Sequence, residues 1–327
     1  MRIIVDAFGG DNAPLEILKG SALAVEELGV DILLIGSEEK IKKCAEENSI
    51  SLNRMEIENV DKIFLMEYDP TTILKSNSDT TMAMGLKALN EGKGDAFVSA
   101  GSTGALVVGA TFITKRIKGI KRGALASVMP STKNPFMLLD IGANTDCKPE
   151  FLEQFGVMGN IYMNKILSVK EPAVALANIG TEENKGTELQ VETYKLMTET
   201  DKYNFIGNIE AREIPFGGAD VIVSDGFTGN MLLKMYEGAA LAMMKNIKGI
   251  FMKNTISKIS ALLIKSGLSE FKTKMDYKEF GGAPILGVTK PVIKAHGSSD
   301  ARGFKNAIRQ AKAFVNGNVI NEIIENI

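Results

Sequence analysis

One histidine, His296, serves the whole chain of 327 residues. Any imidazole acid–base chemistry must therefore use it, and a multi-histidine zinc site is excluded. It stands in Ile293-Lys294-Ala295-His296-Gly297-Ser298-Ser299, read as a strand end turning into a helix capped by Ser298 or Ser299. A lone histidine also has a structural reading, but the position in a glycine–serine turn favours function. The two cysteines, Cys44 and Cys147, are far apart in sequence and form no metal-ligand pattern. A second chemical signal is ADVIVSDGFTGNMLLK, Ala219 to Lys234. It reads as a strand at Val221–Val223, a loop from Ser224 to Asn230 and a helix from Met231. Such a turn points free backbone N–H groups at an anion. Gly226 and Gly229 permit close backbone approach. SAGSTGA, Ser99 to Ala105, repeats the design after a strand at Asp95–Val98. Each loop alone could be ordinary turn chemistry; their recurrence favours an anion site. Neither GxxxxGK[ST] nor GxGxxG occurs, which disfavours a mononucleotide P-loop and a dinucleotide fold.

These loops need a scaffold. Short apolar runs at Arg2–Asp6, Val30–Ile35, Met55–Val60, Ala124–Val128, Phe136–Leu139, Pro172–Ala177 and Phe205–Glu210 read as strands. Helical patterns alternate with most of them, including Glu38–Asn48 and Glu150–Leu167. That alternation predicts a mostly parallel sheet with helices on both faces. Ligands of such sheets bind at the C-terminal strand ends. Those ends are rich here in Gly, Asn, Ser and Thr, as in the loops ending at Asn144 and running from Asn178 to Gly186. Phe280 to Gly287 reads as one more glycine-rich loop.

Hydrophobic residues make up 45%, charged residues 24%, and the net charge is −2, so the chain is globular and not a general nucleic-acid binder. MRIIVDAFGGD reaches acidic and glycine residues too early for a signal peptide, and no apolar run is long enough to span a bilayer. With no compositional break, residues 1–327 are expected to form one catalytic domain. Within it, about 231–275 is expected to be a protruding helical insert. Lys245 to Lys274 holds seven lysines and one acidic residue, Glu270. Met252, Ile256, Ile259 and Leu263 fall on one helical stripe. Basic, amphipathic and rich in methionine, the insert suits an anionic membrane surface or an acidic partner. The alternative is a helical pair packed on the core or against a second copy.

VDAFGGDNAP, SAGSTGA, LDIGANTDCKPEFLEQFGVMGNIY, NIGTEENKG, IGNIE, SDGFTGNMLLK, FGGAPILG and HGSS run in order from Val5 to Ser299. Together they resemble the PlsX family, the phosphate acyltransferases of bacterial phospholipid synthesis. The family more usually has Met, His and Asn where Phe8, Asn12 and Ser102 stand. The resemblance implies an α/β/α fold related to phosphotransacetylases and the isocitrate-dehydrogenase-like group. It implies that acyl-[acyl-carrier-protein] and inorganic phosphate give acyl phosphate and free carrier, with no cofactor and no metal. It implies a homodimer in the cytoplasm, peripherally associated with the inner face of the membrane. Its product would feed a membrane glycerol-3-phosphate acyltransferase.

That reaction needs phosphate held for attack, donors for a tetrahedral oxyanion, and help for a leaving thiolate. The N–H groups of Gly101–Gly104 and Gly226–Gly229 are expected to bind phosphate, with Ser102, Thr103 and Thr228 adding hydroxyls. Asn144 is placed among the substrate-binding residues. Asp225 and Asn230 are expected mainly to order their loop. Lys185 would supply charge, and His296 would donate to the sulfur or oxyanion. Lys253, Ile256, Lys258, Ile259, Leu263 and Lys265 are the expected membrane or carrier-protein contacts. Competing readings are transfer from acyl-coenzyme A, and a non-catalytic membrane scaffold that recruits carrier protein. Nicotinamide-dependent oxidation is disfavoured because the sequence offers no evident paired-aspartate metal site.

Overall fold

A computed structural model describes residues 1–267, 271 and 280–327. Among the described residues, eleven strands form one sheet. In chain order they are β1 (Arg2–Asp6), β2 (Asp31–Gly36), β3 (Met55–Asn59), β4 (Ala96–Ser99), β5 (Ala124–Met129), β6 (Phe136–Leu139), β7 (Ala173–Asn178), β8 (Asn204–Glu210), β9 (Val221–Val223), β10 (Ala283–Leu286) and β11 (Val292–Lys294). Their order across the sheet is β3-β2-β1-β4-β11-β10-β5-β6-β9-β7-β8. Most neighbours are parallel, as the alternation of strands and helices predicts. The central steps β11–β10, β10–β5 and β5–β6 are antiparallel. Three reversals in succession leave the two parallel outer halves running in opposite directions.

The strands are apolar on both sides because helices cover both faces. Ile3, Val5, Ile32 and Leu34 pack on one face with Ile17 and Leu18 of α1 (Leu15–Leu28) and with Phe304 and Ala307. Ile4, Leu33 and Ile35 point the other way, toward Met82 and Leu86 of α3 (Thr81–Asn90). Between these helices comes α2 (Glu38–Glu47), and after β4 comes α4 (Thr103–Gly109). In the second half, Met137, Leu139, Val221 and Val223 meet Phe155 and Met158 of α5 (Pro149–Leu167). Among the described residues the further α-helices are α6 (Glu188–Glu199), α7 (Gly226–Met252), α8 (Thr255–Leu263), α9 (Ala301–Asn316) and α10 (Val319–Asn326). One buried cluster runs unbroken through both halves on the α3 face, whereas the opposite face carries two separate clusters.

Three local expectations change. Ala283–Leu286 is a strand, not a loop: Ala283 and Pro284 pair with β11, and the buried Ile285 and Leu286 pair with β5. The helix after β9 begins at Gly226, five residues before Met231, because the Asp225 carboxylate caps it by accepting from Thr228 N–H at 2.9 Å. The last turn before α9 is capped by Asp300, which accepts from Gly303 N–H at 2.8 Å, not by Ser298 or Ser299.

α7 is 27 residues long, and of these only Gly226, Gly229 and Leu233 are buried. Its Met231, Met235, Leu241, Met243, Ile250 and Met252 are exposed. α8 buries nothing and exposes Ile256, Ile259 and Leu263. The insert therefore stands off the sheet as a helical pair rooted in α7. Residues 268–270 and 272–279, where its end near 275 is expected, lie outside the described residues, and with them Glu270, Lys272 and Lys274. Among the described residues, no helix is long and apolar enough to cross a membrane.

Candidate active site

A cavity of about 310 Å³ opens beneath the first turns of α7. The ends of β4, β6 and β11 and the start of β10 meet there. From β4 come Thr103 and Gly104, in the first turn of α4. Ser102 sits behind them as the helix cap, its Oγ 3.5 Å from Ala105 N–H. Gly101 donates its N–H to Ser99 Oγ at 3.1 Å, and Ser99 in turn donates to the buried Asp6 carboxylate at 2.7 Å. The SAGSTGA turn is thus held from below while its Thr103–Gly104 end faces the cavity.

The β6 side is built around Asp140, which is wholly buried. Its Oδ1 accepts from the N–H groups of Leu125, Gly142 and Ala143 at 3.0, 3.2 and 3.0 Å. Its Oδ2 accepts from Asn144 N–H at 2.7 Å and Asn144 Nδ2 at 2.8 Å. Burial pushes this carboxyl above its ordinary value, and the donors of Ala143, Asn144 and Leu125 oppose that rise. Asn144 passes the order on: its Nδ2 donates to the Gly123 carbonyl at 2.8 Å, and its carbonyl accepts from Gly226 N–H at 2.7 Å.

That bond changes the expected role of the Gly226–Gly229 turn. Gly226 N–H is taken by Asn144, Thr228 N–H by the Asp225 carboxylate, and Gly229 N–H by the Asp225 carbonyl. The Thr228 hydroxyl donates to Asp225 Oδ2 at 2.7 Å. A Cβ at Gly229 would lie 1.9 Å from the Asp140 carbonyl oxygen, so glycine is what lets α7 sit against β6. The turn anchors a helix; it does not leave N–H groups of these three residues for phosphate. Asn144 likewise locks the loop and does not line the cavity.

Past the anchor, α7 presents Asn230, Leu233, Lys234 and Glu237 to the cavity. Lys234 Nζ pairs with Glu237 Oε2 at 2.9 Å. Lys294 reaches in from the end of β11. It is 9% exposed, and its ammonium donates to the carbonyls of Ala100, at 3.2 Å, and Ala295. Burial pulls the Lys294 ammonium down to about 8, Asp11 and Asp6 oppose that fall, and the Lys234 charge adds to it. His296 forms the exposed rim. Ser298 N–H donates to His296 Nδ1 at 3.2 Å, with the Ser298 hydroxyl 2.9 Å from the same atom. A backbone N–H can only donate, so Nδ1 accepts and the neutral ring carries its proton on Nε2.

Of the residues expected from the sequence, the cavity gathers Thr103, Gly104, Asn230 and His296. Lys185 does not line it. It sits on the loop after β7, where its carbonyl accepts from Asn178 Nδ2 at 3.0 Å and its Nζ lies 4.0 Å from Glu182 Oε1. The neighbouring Gly186 lines a separate depression of about 390 Å³ with Asn178, Gln190, Thr228 and Leu232. Lys294, Lys234 and Asp140 were not read from the sequence as site residues. A usable signal existed for two of them. Lys294 is two residues before His296 on a strand end, and Lys234 is four after Asn230 on a helix, so each shares a face with a residue already chosen. Cys147, whose thiol burial pushes up to about 12, is a poor nucleophile.

This arrangement can bind an anion beside a histidine donor in a partly apolar cavity. Comparison with known proteins agrees. The family described as fatty acid synthesis protein matches residues 1–322. The phosphate acyltransferase of Alkaliphilus oremlandii is 46% identical over 100% of this chain and 97% of its own length. That of Clostridioides difficile is 46% identical over 99% of this chain and 95% of its own. A phosphotransacetylase from Streptococcus pyogenes superposes with a TM-score of 0.66 at 17% identity, covering 98% of this chain and 94% of that one. A branched-chain phosphotransacylase from Enterococcus faecalis gives 0.58 at 16%, covering 96% and 99%. The structural likenesses establish the fold, and the sequence matches establish descent: the chain belongs to the fatty acid synthesis protein family, the PlsX family of phosphate acyltransferases.

Proposed function

We propose that the protein makes acyl phosphate from inorganic phosphate and an acyl thioester carried by acyl carrier protein. The observation that carries this reading is the convergence of two lysines, a histidine donor and the α4 turn on one cavity, in a chain 46% identical to a phosphate acyltransferase. A phosphate oxygen bonds to the thioester carbon and the C–S bond breaks. The proton shed by phosphate ends on the carrier's sulfur, so the carrier leaves as its thiol. Phosphate is already anionic at neutral pH, so positioning and charge supply most of the rate, with no acyl-enzyme needed. His296 Nε2–H donates to the developing oxyanion or the departing sulfur. Thr103 and Gly104 close the α4 side of the cavity around the reacting groups.

The donor is proposed to be the carrier protein because such a carrier is acidic and the exposed insert is basic. From 245 to 267 the chain has Lys245, Lys248, Lys253, Lys258 and Lys265 and no acidic residue. The exposed Ile256, Ile259 and Leu263 beside them support contact with a membrane surface, and the exposed methionines of α7 support pairing with a second copy. In this reading the enzyme works at the cytoplasmic membrane surface and passes its product to a membrane glycerol-3-phosphate acyltransferase.

The test is phosphate-dependent hydroxamate formation when purified protein, acyl carrier protein thioester and phosphate are mixed and the product is trapped with hydroxylamine. Acyl-coenzyme A is run beside it, and a preference for coenzyme A would overturn the carrier assignment. His296→Ala should lower kcat by about 100-fold, the scale of one positioned donor. Lys185→Ala should lose far less, because Lys185 lies outside the cavity. Equal turnover in wild type and His296→Ala would remove the histidine from the mechanism.

A further inference from the structure

The cavity contains one cation whose surroundings are unusual. Lys294 is buried, yet among the described residues its ammonium makes no carboxylate ion pair. An ammonium has three N–H donors. Two of them are spent on the carbonyls of Ala100 and Ala295, and both residues flank loops of the site. The side chain is thereby fixed at both sides while still lining the cavity. A desolvated cation held this way is costly unless an anion completes its shell. The charged groups around it are Asp6 from β1, Asp11 from the loop after β1, and Lys234 with Glu237 from α7, with His296 beyond on its own strand end. Lys234 is already neutralised by Glu237 at 2.9 Å. Asp6 is occupied by the Ser99 hydroxyl and by Phe8 N–H at 3.3 Å.

We propose that Lys294 is the residue that anchors phosphate, its third N–H donating to a phosphate oxygen in the cavity. This rests on the acyl-transfer reading for what phosphate does next, but not for its binding. It assigns the two functional side chains of the β11 end to different substrates: Lys294 to phosphate and His296 to the thioester. Lysine suits the place, since an ammonium held by two carbonyls still offers its third donor.

A proton linkage follows. Above about pH 8 the empty site loses the Lys294 proton, and bound phosphate calls it back. Phosphate affinity should therefore fall about tenfold per pH unit from about pH 8 to about pH 9.5, a range in which phosphate stays dianionic.

The experiment measures wild type and Lys294→Gln. Glutamine keeps an N–H donor for the carbonyls but carries no charge. In Lys294→Gln the KM for phosphate should rise about 10- to 100-fold, the loss of one charge-assisted hydrogen bond, with the thioester KM changed less than about twofold. Inorganic phosphate alone, without thioester, should raise the Tm of wild type and not of Lys294→Gln. The alkaline rise in phosphate KM should vanish in the variant. A wild-type phosphate KM or an undiminished phosphate-induced Tm rise in Lys294→Gln overturns the proposal. If that variant does not fold, the wild-type pH series decides alone, and a flat phosphate KM overturns it. A Lys294-dependent Tm rise without any acyl phosphate would refute acyl transfer while keeping the anchor. Acyl phosphate formed with unaltered phosphate KM in the variant would do the reverse.

Discussion

Asp140 carries more of the site than any residue that touches the cavity. Wholly buried, it receives five hydrogen bonds that tie Leu125 of β5 to the turn at Gly142–Asn144, and through Asn144 to the start of α7. Asp140→Ala should cost at least about 3 kcal/mol, since several buried donors lose their only acceptor. Denaturant midpoints would check it, and a loss under about 1 kcal/mol would mean that water replaces the carboxylate. Asp140 stood in the sequence at the end of a predicted strand, yet nothing there marked it as the hub. Its partners are brought together by the β5–β6 pairing, which no local pattern encodes. For a related reason the burial of Lys294 is not legible. Whether a lysine is solvated or buried depends on what packs over it, and here that cover comes from β4, β10 and α7. His296 was legible because a lone histidine at a strand end is informative without its neighbours.

Among the elements, α7 is decided by two glycines with opposite meanings. At Gly229 a Cβ would meet the Asp140 carbonyl oxygen at 1.9 Å and Ser224 Oγ at 2.6 Å. At Gly238, farther along the helix, a Cβ would meet nothing within 4 Å. Gly229→Ala should therefore destabilise by about 2–4 kcal/mol and lower kcat by shifting Asn230 and Lys234. Gly238→Ala should be neutral or stabilising by up to about 1 kcal/mol, since alanine is the better helix former. Thermal melts and turnover on the pair test this, and equal effects would deny the Gly229 contact its role. From sequence both glycines of SDGFTGN look like loop residues, which puts the expected helix start at Met231. The cap at Asp225 and the tight approach to β6 reverse that reading. The strand at Ala283–Leu286 was missed in the same way, because FGGAPILG has the composition of a turn and becomes a strand only when β5 and β11 flank it.

For the whole molecule, the alternation of apolar runs and helical patterns was enough to read a mostly parallel three-layer fold. The opposed directions of its two halves were not legible, because they arise from three non-local antiparallel pairings. The exposed insert leads to a prediction at this scale. Replacing both Lys258 and Lys265 by Gln should weaken binding to vesicles of anionic lipid severalfold in low salt and less in high salt. Flotation with vesicles at two salt concentrations would measure it, and unchanged binding would remove charge from the account. Finally, α7 is one uninterrupted rod held to the body at Gly229 and again at Tyr236, whose hydroxyl donates to the Pro130 carbonyl at 2.7 Å, while its outer end joins α8. From Tyr236 the helix extends roughly 24 Å outward to Met252, and Lys234 lies only about 3 Å inward. It is a lever with a fulcrum near the cavity. A sideways push at the tip reaches Lys234 reversed and reduced to roughly an eighth, so that 4 Å of travel outside becomes about 0.5 Å within. Shifts of that size are what hydrogen-bond geometry at a reacting centre resolves.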